Sequence, residues 1–138
     1  MEIKVKLDDG AFMPERAHDT DAGADLRCRE GFWIPPHDSV VVDTGVHIEL
    51  PEGTCGLLVS KSGLNVNERI TTRGLIDQGF TGTIKVRIYN HGARARQFRR
   101  GDKITQIAVL PVEYPIYVRA ESIEGGERGD GGYGSTGR

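Results

Sequence analysis

Several short stretches of the chain alternate apolar and polar residues, and this period of two limits the possible folds more than any other feature. In IKVKL, Ile3, Val5 and Leu7 fall on one side of an extended chain and the two lysines on the other. The alternation returns in VHIEL and TIKVRIY, and more loosely in KITQIAVLPV and PIYVRA, with Gly-, Pro- and Asn-containing turns between the runs. The pattern predicts short antiparallel strands with one buried face, and therefore an all-β sandwich or barrel.

One segment alone favours a helix, and one region changes composition. SGLNVNERI fits about two helical turns, with Ser62 as the expected N-cap. At 138 residues the chain is long enough for one domain with a real core. After Ile123 the sequence becomes Gly-rich and polar, so we expect a domain over 1–123 and a flexible segment over 124–138.

Charge and cysteine content argue against several classes of protein. A formal net charge of −2 gives no basic surface for general nucleic-acid binding. No apolar run reaches the length of a membrane span, and the N-terminus lacks the apolar core of a signal peptide. Cys28 and Cys55 match no zinc-site spacing and are too few for a disulfide framework. We therefore expect a cytoplasmic protein with neither a membrane nor a nucleic acid as partner.

Five loop segments each combine glycine with charged or hydroxyl residues. In chain order they are DAGADL, SKSGLN, RGLIDQGFTG, RRGDKITQ and the terminal RGDGGYGSTGR. In the second, Lys61 and Ser62 supply a charge and a hydroxyl donor, and Gly63 lets the backbone approach an oxyanion closely. A solvated surface turn contains the same residue types, so this segment alone does not identify a phosphate site.

Asp77 is the candidate general base of the third segment. It follows the apolar pair Leu75–Ile76, so we expect the carboxylate to be partly buried and able to activate a water. The alternative is an aspartate that caps the turn ahead of Gly79.

The terminal segment repeats the residue types that bind phosphate. Arg128 offers a bidentate grip, Ser135 and Thr136 offer hydroxyl donors, and Tyr133 offers a flat face for a base. The alternative is a flexible tail without a role, which the glycine content favours.

Together, and in this order, the five segments resemble the five motifs of the trimeric dUTPase family, whose members cleave dUTP to dUMP and pyrophosphate. AGADL is similar to the first motif, SKSGLN to the second, GLIDQGFTGTIKVRIYN to the third, GDKITQI to the fourth and RGDGGYGSTG to the fifth. The resemblance covers nearly the whole chain. It implies a jelly-roll-like, distorted β-barrel of the dUTPase-like β-clip class, assembled as a homotrimer with shared active sites.

The resemblance also implies roles for the reacting groups. Asp77 would orient and deprotonate the water that attacks the α-phosphorus, and Asp25 would lie near the hydration shell of a Mg²⁺ ion carried by the triphosphate. Substrate oxygens and water would hold the metal, with no direct protein ligand. The residues implied to contact phosphate are Lys61, Ser62, Gly63, Gln106, Arg128, Ser135 and Thr136.

Uracil and deoxyribose would lie against the hairpin that runs from about Thr71 to Ile84. Phe80 would pack under the deoxyribose and exclude a 2′-hydroxyl. Tyr133 would cover the uracil when the lid, residues 124–138, closes over the active site of a neighbouring subunit. The residues implied at the base and the sugar are Thr71, Gly74, Ile76, Phe80, Ile84, Lys85 and Tyr133.

Several residues depart from the usual motifs. Lys61 stands where arginine is usual, which keeps the charge but loses the bidentate fork. Phe80 stands where tyrosine is usual, and Thr71 where many members carry asparagine. Lys103 and Thr105 stand where arginine and alanine are commoner. Neither candidate catalytic aspartate is affected.

Two alternatives remain open from the sequence. The dCTP deaminases share this fold and parts of three motifs, but they need a glutamate where this chain has Arg87. Without that carboxylate, water attack on the cytosine ring lacks its proton carrier. A non-catalytic relative that senses nucleotide could dispense with Asp77 or with the terminal segment, and both are present here.

Overall fold

Ten strands and one short helix make up the computed structural model, which describes residues 1–137. The strands are β1 Lys4–Leu7, β2 Gly23–Arg27, β3 Phe32–Ile34, β4 Asp38–Asp43, β5 Val46–Glu49, β6 Thr54–Val59, β7 Ile70–Ile76, β8 Lys85–Asn90, β9 Arg96–Phe98 and β10 Lys103–Pro111. The helix, α1 Ser62–Glu68, lies in the segment predicted for it. The prediction of a mostly β chain is confirmed. Within residues 1–137, no helix is long and apolar enough to cross a membrane.

Six strands form one antiparallel sheet, in the order β2-β10-β6-β7-β8-β4. Two antiparallel ribbons, β1 with β5 and β3 with β9, complete the jelly-roll-like fold. Because β10 lies between β2 and β6, the fourth loop motif is placed beside the first and the second. Sheet order, rather than sequence order, therefore assembles the candidate phosphate-binding residues.

The two faces of the large sheet follow from the alternation within each strand. One row of directly opposed residues faces the core: Ala24, Ile107, Leu58 and Gly74. The adjacent row faces outward: Asp25, Gln106, Val59 and Arg73. Leu58 is 1% exposed and Ile107 is 5% exposed, and both belong to the single hydrophobic cluster that fills the domain. Residues of the outward row are thus free to form a site on the sheet surface.

The alternation in PIYVRA predicts a strand over 115–120, and this prediction is wrong for the protomer. The side chains of Ile116, Tyr117 and Val118 are 90%, 91% and 82% exposed. A strand needs a neighbour for its backbone N–H and C=O groups. Within residues 1–137 no ladder forms with this segment. Its apolar side chains are left exposed on the surface of the single chain.

Candidate active site

A buried carboxylate and two lysines form the centre of the first half of the site. Asp25, on β2, is 5% exposed. The Lys103 Nζ lies 2.8 Å from Asp25 Oδ2, and the Lys61 ammonium donates to Asp25 Oδ1. Burial alone would raise the pKa of Asp25. The hydrogen bonds from Lys103 and then Lys61 outweigh burial and hold this pKa below its usual value. Asp25 is therefore ionised at neutral pH, and the two lysines outnumber it.

A β-bulge brings Lys103 to this carboxylate. Lys103 pairs with Arg27, and Gln106 pairs with Asp25, with a register shift between Lys103 and Thr105. In a regular strand, residues three apart point to opposite faces. The extra residue in β10 places Lys103 and Gln106 on the same face as Asp25.

Gln106 lies between the first and second motifs. Its side-chain amide donates to the carbonyl of Ser60 over 3.1 Å, at the end of β6. A Cβ on Gly23 would lie 2.7 Å from Gln106 Oε1, so only glycine leaves room for this side chain on the neighbouring strand. The close approach explains one glycine of the DAGADL segment.

The second motif forms the start of α1, with one correction to the predicted cap. Lys61, in an extended conformation (φ −69°, ψ 131°), is the N-cap residue, and it makes no side-chain cap hydrogen bond. Ser62, predicted as the cap, is the first helical residue. The Lys61 side chain reaches Asp25 instead of the helix end. Ser62 and Gly63 are exposed, and a Cβ on Gly63 would meet no atom within 4 Å. The space beside this helix start is open to a ligand.

The second half of the site is the loop over 77–84, between β7 and β8. Phe80 N–H donates to the Asp77 carbonyl over 3.2 Å, and Gly79 has φ +87°, which closes a tight turn. A cleft of about 500 Å³ opens beside this turn. Its lining residues are Leu75, Ile76, Asp77, Phe80, Gly82, Thr83 and Lys85. The cleft is comparable in size with small-molecule sites.

The expected burial of Asp77 is wrong for the single chain. Asp77 is exposed, and so is Leu75, at 63%. Leu75 and Ile76 are neighbours on a strand, so only one of them can face the core, and Ile76 does so at 8% exposure. The carboxylate therefore stands at the mouth of the cleft, open to a bound ligand or a water.

The Phe80 ring lies close to Gly82, because glycine has no side chain to occupy that space. A Cβ on Gly82 would lie 2.8 Å from Cζ of the Phe80 ring. Phe80 remains 46% exposed, and it lines the cleft. Gly82 therefore determines how far the ring can fold back.

The other residues implied at the base occupy different environments. Thr71 Oγ1 lies 2.7 Å from His91 Nε2, on the outer face of β7. Gly74 faces the core against Leu58, and Ile84 is fully buried. Ile84 donates its N–H to Val46 and accepts at its carbonyl from the Thr44 N–H and hydroxyl. Lys85 lines the cleft.

The terminal segment contacts itself. Arg128 Nη2 lies 2.5 Å from Ser135 Oγ, and the segment's backbone hydrogen bonds close turns within it, such as Ser135 N–H to Gly132. The Tyr133 side chain is fully exposed, and Thr136 is exposed. The structure brings Arg128 and Ser135 together, but up to residue 137 it shows no hydrogen bond between this segment and either half of the site.

The two halves also lie apart within one chain. Gln106, beside Asp25, pairs with Val59 at one end of β6, whereas Ile76, next to Asp77, pairs with Gly56. Three residues along a strand correspond to about 10 Å. One protomer thus presents a candidate phosphate half-site, made by Asp25, Lys61 and Gln106, and a separate cleft with Asp77 and Phe80.

Two residues that the sequence did not assign to the site are Lys103 and Gly82. Lys103 directly follows Gly101 and Asp102, and a lysine placed after such a turn, at the start of a strand, was the sequence feature that could have indicated a site residue. Gly82 follows an aromatic residue by two positions, a spacing that leaves room for the ring. No local signal indicated the bulge that turns Lys103 toward Asp25.

Known proteins resemble this chain over nearly its whole length. The family profile described as dUTPase matches residues 9–137. The deoxyuridine 5'-triphosphate nucleotidohydrolase of Nocardia farcinica is 41% identical over 136 residues, covering 96% of this chain and 82% of that protein. The protein of the same name from Gloeothece citriformis is 39% identical over 141 residues, covering 99% of this chain and 97% of that protein.

Solved structures of dUTPases are also similar to this chain. The dUTPase of Staphylococcus bacteriophage 80alpha, bound to dUpNHpp, superposes with a TM-score of 0.92 at 29% identity, covering 99% of each chain. A mutant dUTPase from phage phi11 of S. aureus, described with a structural Mg(II) ion, superposes with a TM-score of 0.81 at 28% identity. That match covers 88% of this chain and 98% of the phage chain.

Proposed function

The chain belongs to the dUTPase family, and we propose that it hydrolyses dUTP to dUMP and pyrophosphate through a water activated by Asp77. The observation that carries this proposal is the exposed Asp77 carboxylate at the mouth of a cleft that also contains Phe80. A nucleoside in the cleft would place its α-phosphate at the mouth. A carboxylate there can accept a proton from a water that points at the phosphorus.

The reaction we propose is a single in-line displacement. The water oxygen forms a bond to the α-phosphorus, and the bond from that phosphorus to the α,β-bridging oxygen breaks. The water proton passes to Asp77, and pyrophosphate leaves with the bridging oxygen. The protein's contribution is to position the water and the triphosphate, since phosphoryl-transfer sites rely mainly on placement and charge.

The Asp25 half-site would hold the triphosphate. Asp25 fixes the Lys61 and Lys103 ammonium groups, whose combined charge exceeds its own. The local excess of positive charge favours a polyanion in a protein of net charge −2. Ser62, Gly63 and Gln106 would add hydrogen bonds to phosphate oxygens, because the helix start is open.

Mg²⁺ fits this half-site as an ion that arrives with the substrate. Mg²⁺ prefers oxygen ligands and usually keeps several waters. Among residues 1–137, no group of three or more His, Cys, Asp and Glu side chains could hold a metal ion. Asp25 offers one carboxylate that already accepts from two lysines. When bound, the ion would neutralise phosphate charge and fix the triphosphate geometry.

The complete site would form between subunits of a homotrimer. The phosphate half-site and the Asp77 cleft lie apart along β6 in one protomer. Between them, Leu57 and Leu75 face outward, and Leu110 lies on the same face at the next position beyond Gly56; Leu75 and Leu110 are 63% and 41% exposed. This apolar surface would be covered in a trimer, and a neighbour's lid, residues 124–138, would close over uracil through Tyr133. Lys85, Thr71 and the hairpin backbone would line the base.

The first test is product analysis with purified protein and Mg²⁺. We expect dUMP and pyrophosphate from dUTP, no reaction with dCTP, and loss of turnover when EDTA removes Mg²⁺. Deamination of dCTP would indicate that the deaminase alternative is correct despite Arg87. No turnover of either nucleotide, with dUTP still bound, would indicate a nucleotide sensor.

A further inference from the structure

His47 lies outside the motifs and anchors the loop that carries Phe80. Its Nδ1 lies 2.7 Å from the carbonyl oxygen of Thr81, the residue after Phe80. Its Nε2 lies 3.0 Å from Oδ1 of Asp8, and the side chain is 18% exposed. The imidazole therefore links the loop over 77–84 to the turn after β1.

Both partners of this imidazole are hydrogen-bond acceptors. A carbonyl oxygen and a carboxylate can accept but not donate, so only the doubly protonated imidazolium satisfies both contacts. A neutral ring would turn a lone pair toward one of the two oxygens. The hydrogen bonds to Thr81 and then to Asp8 raise the pKa of His47 above its usual value.

The charged groups around His47 do not reverse this conclusion. Lys6 lies directly opposite on β1 and lowers the pKa, but less than the hydrogen-bonded groups raise it. Lys4 and Glu49, one pair further along this face, are joined to each other at 3.3 Å. Asp8 is thus the carboxylate in contact with the ring.

The rest of the loop is held by backbone groups and by side chains other than histidine. Ile84 is bonded through its backbone to Thr44 and Val46, and the Thr83 hydroxyl lies 3.2 Å from Asp43 Oδ2. Thr81 directly follows Phe80, and among the residues that the structure describes its carbonyl is the group of the loop that contacts a histidine.

We propose that His47 is a positioning residue for the nucleotide: as an imidazolium it holds the Thr81 carbonyl and so fixes the Phe80 ring beneath the sugar. This inference rests on the proposed dUTP hydrolysis. Above the pKa of His47 the anchor weakens, the loop relaxes and the nucleotide binds less tightly. The water and the phosphate half-site are unchanged, so KM responds while kcat does not.

The test measures KM and kcat for dUTP from pH 6 to 9 in the wild type, His47→Gln and Asp8→Asn. In the wild type we expect KM to rise roughly three- to tenfold through the titration of His47, with kcat within about twofold. His47→Gln should have a raised KM at pH 6 and no such step. Asp8→Asn should move the step to lower pH, because the carboxylate that favours the imidazolium is gone.

The control is His18→Gln, whose side chain is 80% exposed and lies far from the loop in sequence. It should keep the wild-type profile, and the comparison at each pH removes the titration of the dUTP phosphates themselves. A step that persists in His47→Gln, or an unchanged KM in that variant, would overturn the proposal. NMR gives a readout without turnover: the Phe80 ring shifts should follow the titration of His47 in the wild type and should show no such step in His47→Gln. Absence of dUTP turnover by the wild type would refute the proposed function, while the NMR titration would still test the anchor.

Discussion

Lys103 Nζ lies 2.8 Å from Oδ2 of Asp25, across two strands whose residues are far apart in the sequence. The bulge in β10 creates this contact, because it turns Lys103 to the same face as Asp25 and Gln106. The buried Asp25 carboxylate holds the two lysine ammonium groups in place within the candidate phosphate half-site. The net charge of this cluster therefore depends on whether Asp25 is present to offset the charges of Lys61 and Lys103.

Asp25→Asn should lower both stability and activity. The substitution leaves Lys61 and Lys103 close together without the charge that holds them. Because the lysines are 25% and 36% exposed, water relieves part of the cost, and we expect a loss of about 1–3 kcal/mol in the free energy of unfolding. Urea denaturation at pH 7 measures it, and kcat/KM for dUTP should fall in parallel.

Glu49→Gln is the matched control for that variant. Glu49 is paired with Lys4 at 3.3 Å, but the side chains are 62% and 83% exposed. Its removal should change the unfolding free energy by less than about 0.5 kcal/mol. Equal effects of the two substitutions would contradict the importance of the buried pair.

The stabilisation by Asp25 should disappear in acid. The pKa of Asp25 is lowered in the folded protein, so its contribution is complete above the unfolded value of about 3.9 and is lost as pH falls through the folded value. The unfolding free energies of the wild type and Asp25→Asn should therefore stay apart from pH 7 to about pH 4 and converge below it. Convergence already at pH 6 would contradict the lowered pKa.

Asp77→Asn should abolish turnover and preserve binding. Asparagine keeps the shape of the side chain but cannot accept the water proton, so we expect kcat to fall by about 10²–10⁴. Asp77 is exposed and makes no side-chain hydrogen bond that supports the fold among the described residues, so the variant should fold normally. Calorimetry with a non-hydrolysable dUTP analogue should give a dissociation constant close to that of the wild type. An active variant would exclude the role of Asp77 as the base.

The sequence predicted the parts of the structure that depend on local pattern. The alternation in IKVKL, VHIEL and TIKVRIY corresponds to β1, β5 and β8, and SGLNVNERI corresponds to α1. In β8 the alternation of burial is complete: Val86 and Ile88 are buried, and Lys85, Arg87 and Tyr89 are exposed. Period and composition are enough for such elements because one face must enter the core.

Three predictions failed, and two of them failed because the feature depends on a partner distant in the sequence. PIYVRA has the pattern of a strand but no neighbouring strand within residues 1–137. Asp77 was expected to be buried because it follows the apolar pair Leu75–Ile76. Neighbouring residues on a strand point to opposite faces, so Ile76 faces the core and Asp77 is exposed. Lys61 leaves the helix cap to reach Asp25, a contact that the letters SKSG do not indicate.

Gly82→Ala should weaken the discrimination between dUTP and UTP. The new Cβ would lie 2.8 Å from Cζ of Phe80, so the ring must move away from its place against the loop. A displaced ring excludes a 2′-hydroxyl less well, and we expect the ratio of kcat/KM for dUTP over UTP to fall by roughly tenfold. Steady-state kinetics with both nucleotides measure the ratio. An unchanged ratio with unchanged KM would show that the ring does not contact the sugar.

Removal of residues 124–138 should reduce catalysis without reducing stability. Over residues 124–137 almost all side chains are exposed and the hydrogen bonds join residues of the segment itself, so the unfolding free energy should change by less than about 0.5 kcal/mol. If the segment closes over bound nucleotide, its loss leaves the phosphates open to water and removes the contacts of Arg128, Ser135 and Thr136. We then expect kcat/KM for dUTP to fall by about 10²-fold or more.

Two substitutions of Tyr133 separate the ring from the rest of the segment. Tyr133→Ala should lose part of the activity, and Tyr133→Phe is its matched control, because it keeps the flat ring and should keep most of the activity. Full activity in the truncated protein would show that the segment is a tail without a catalytic role.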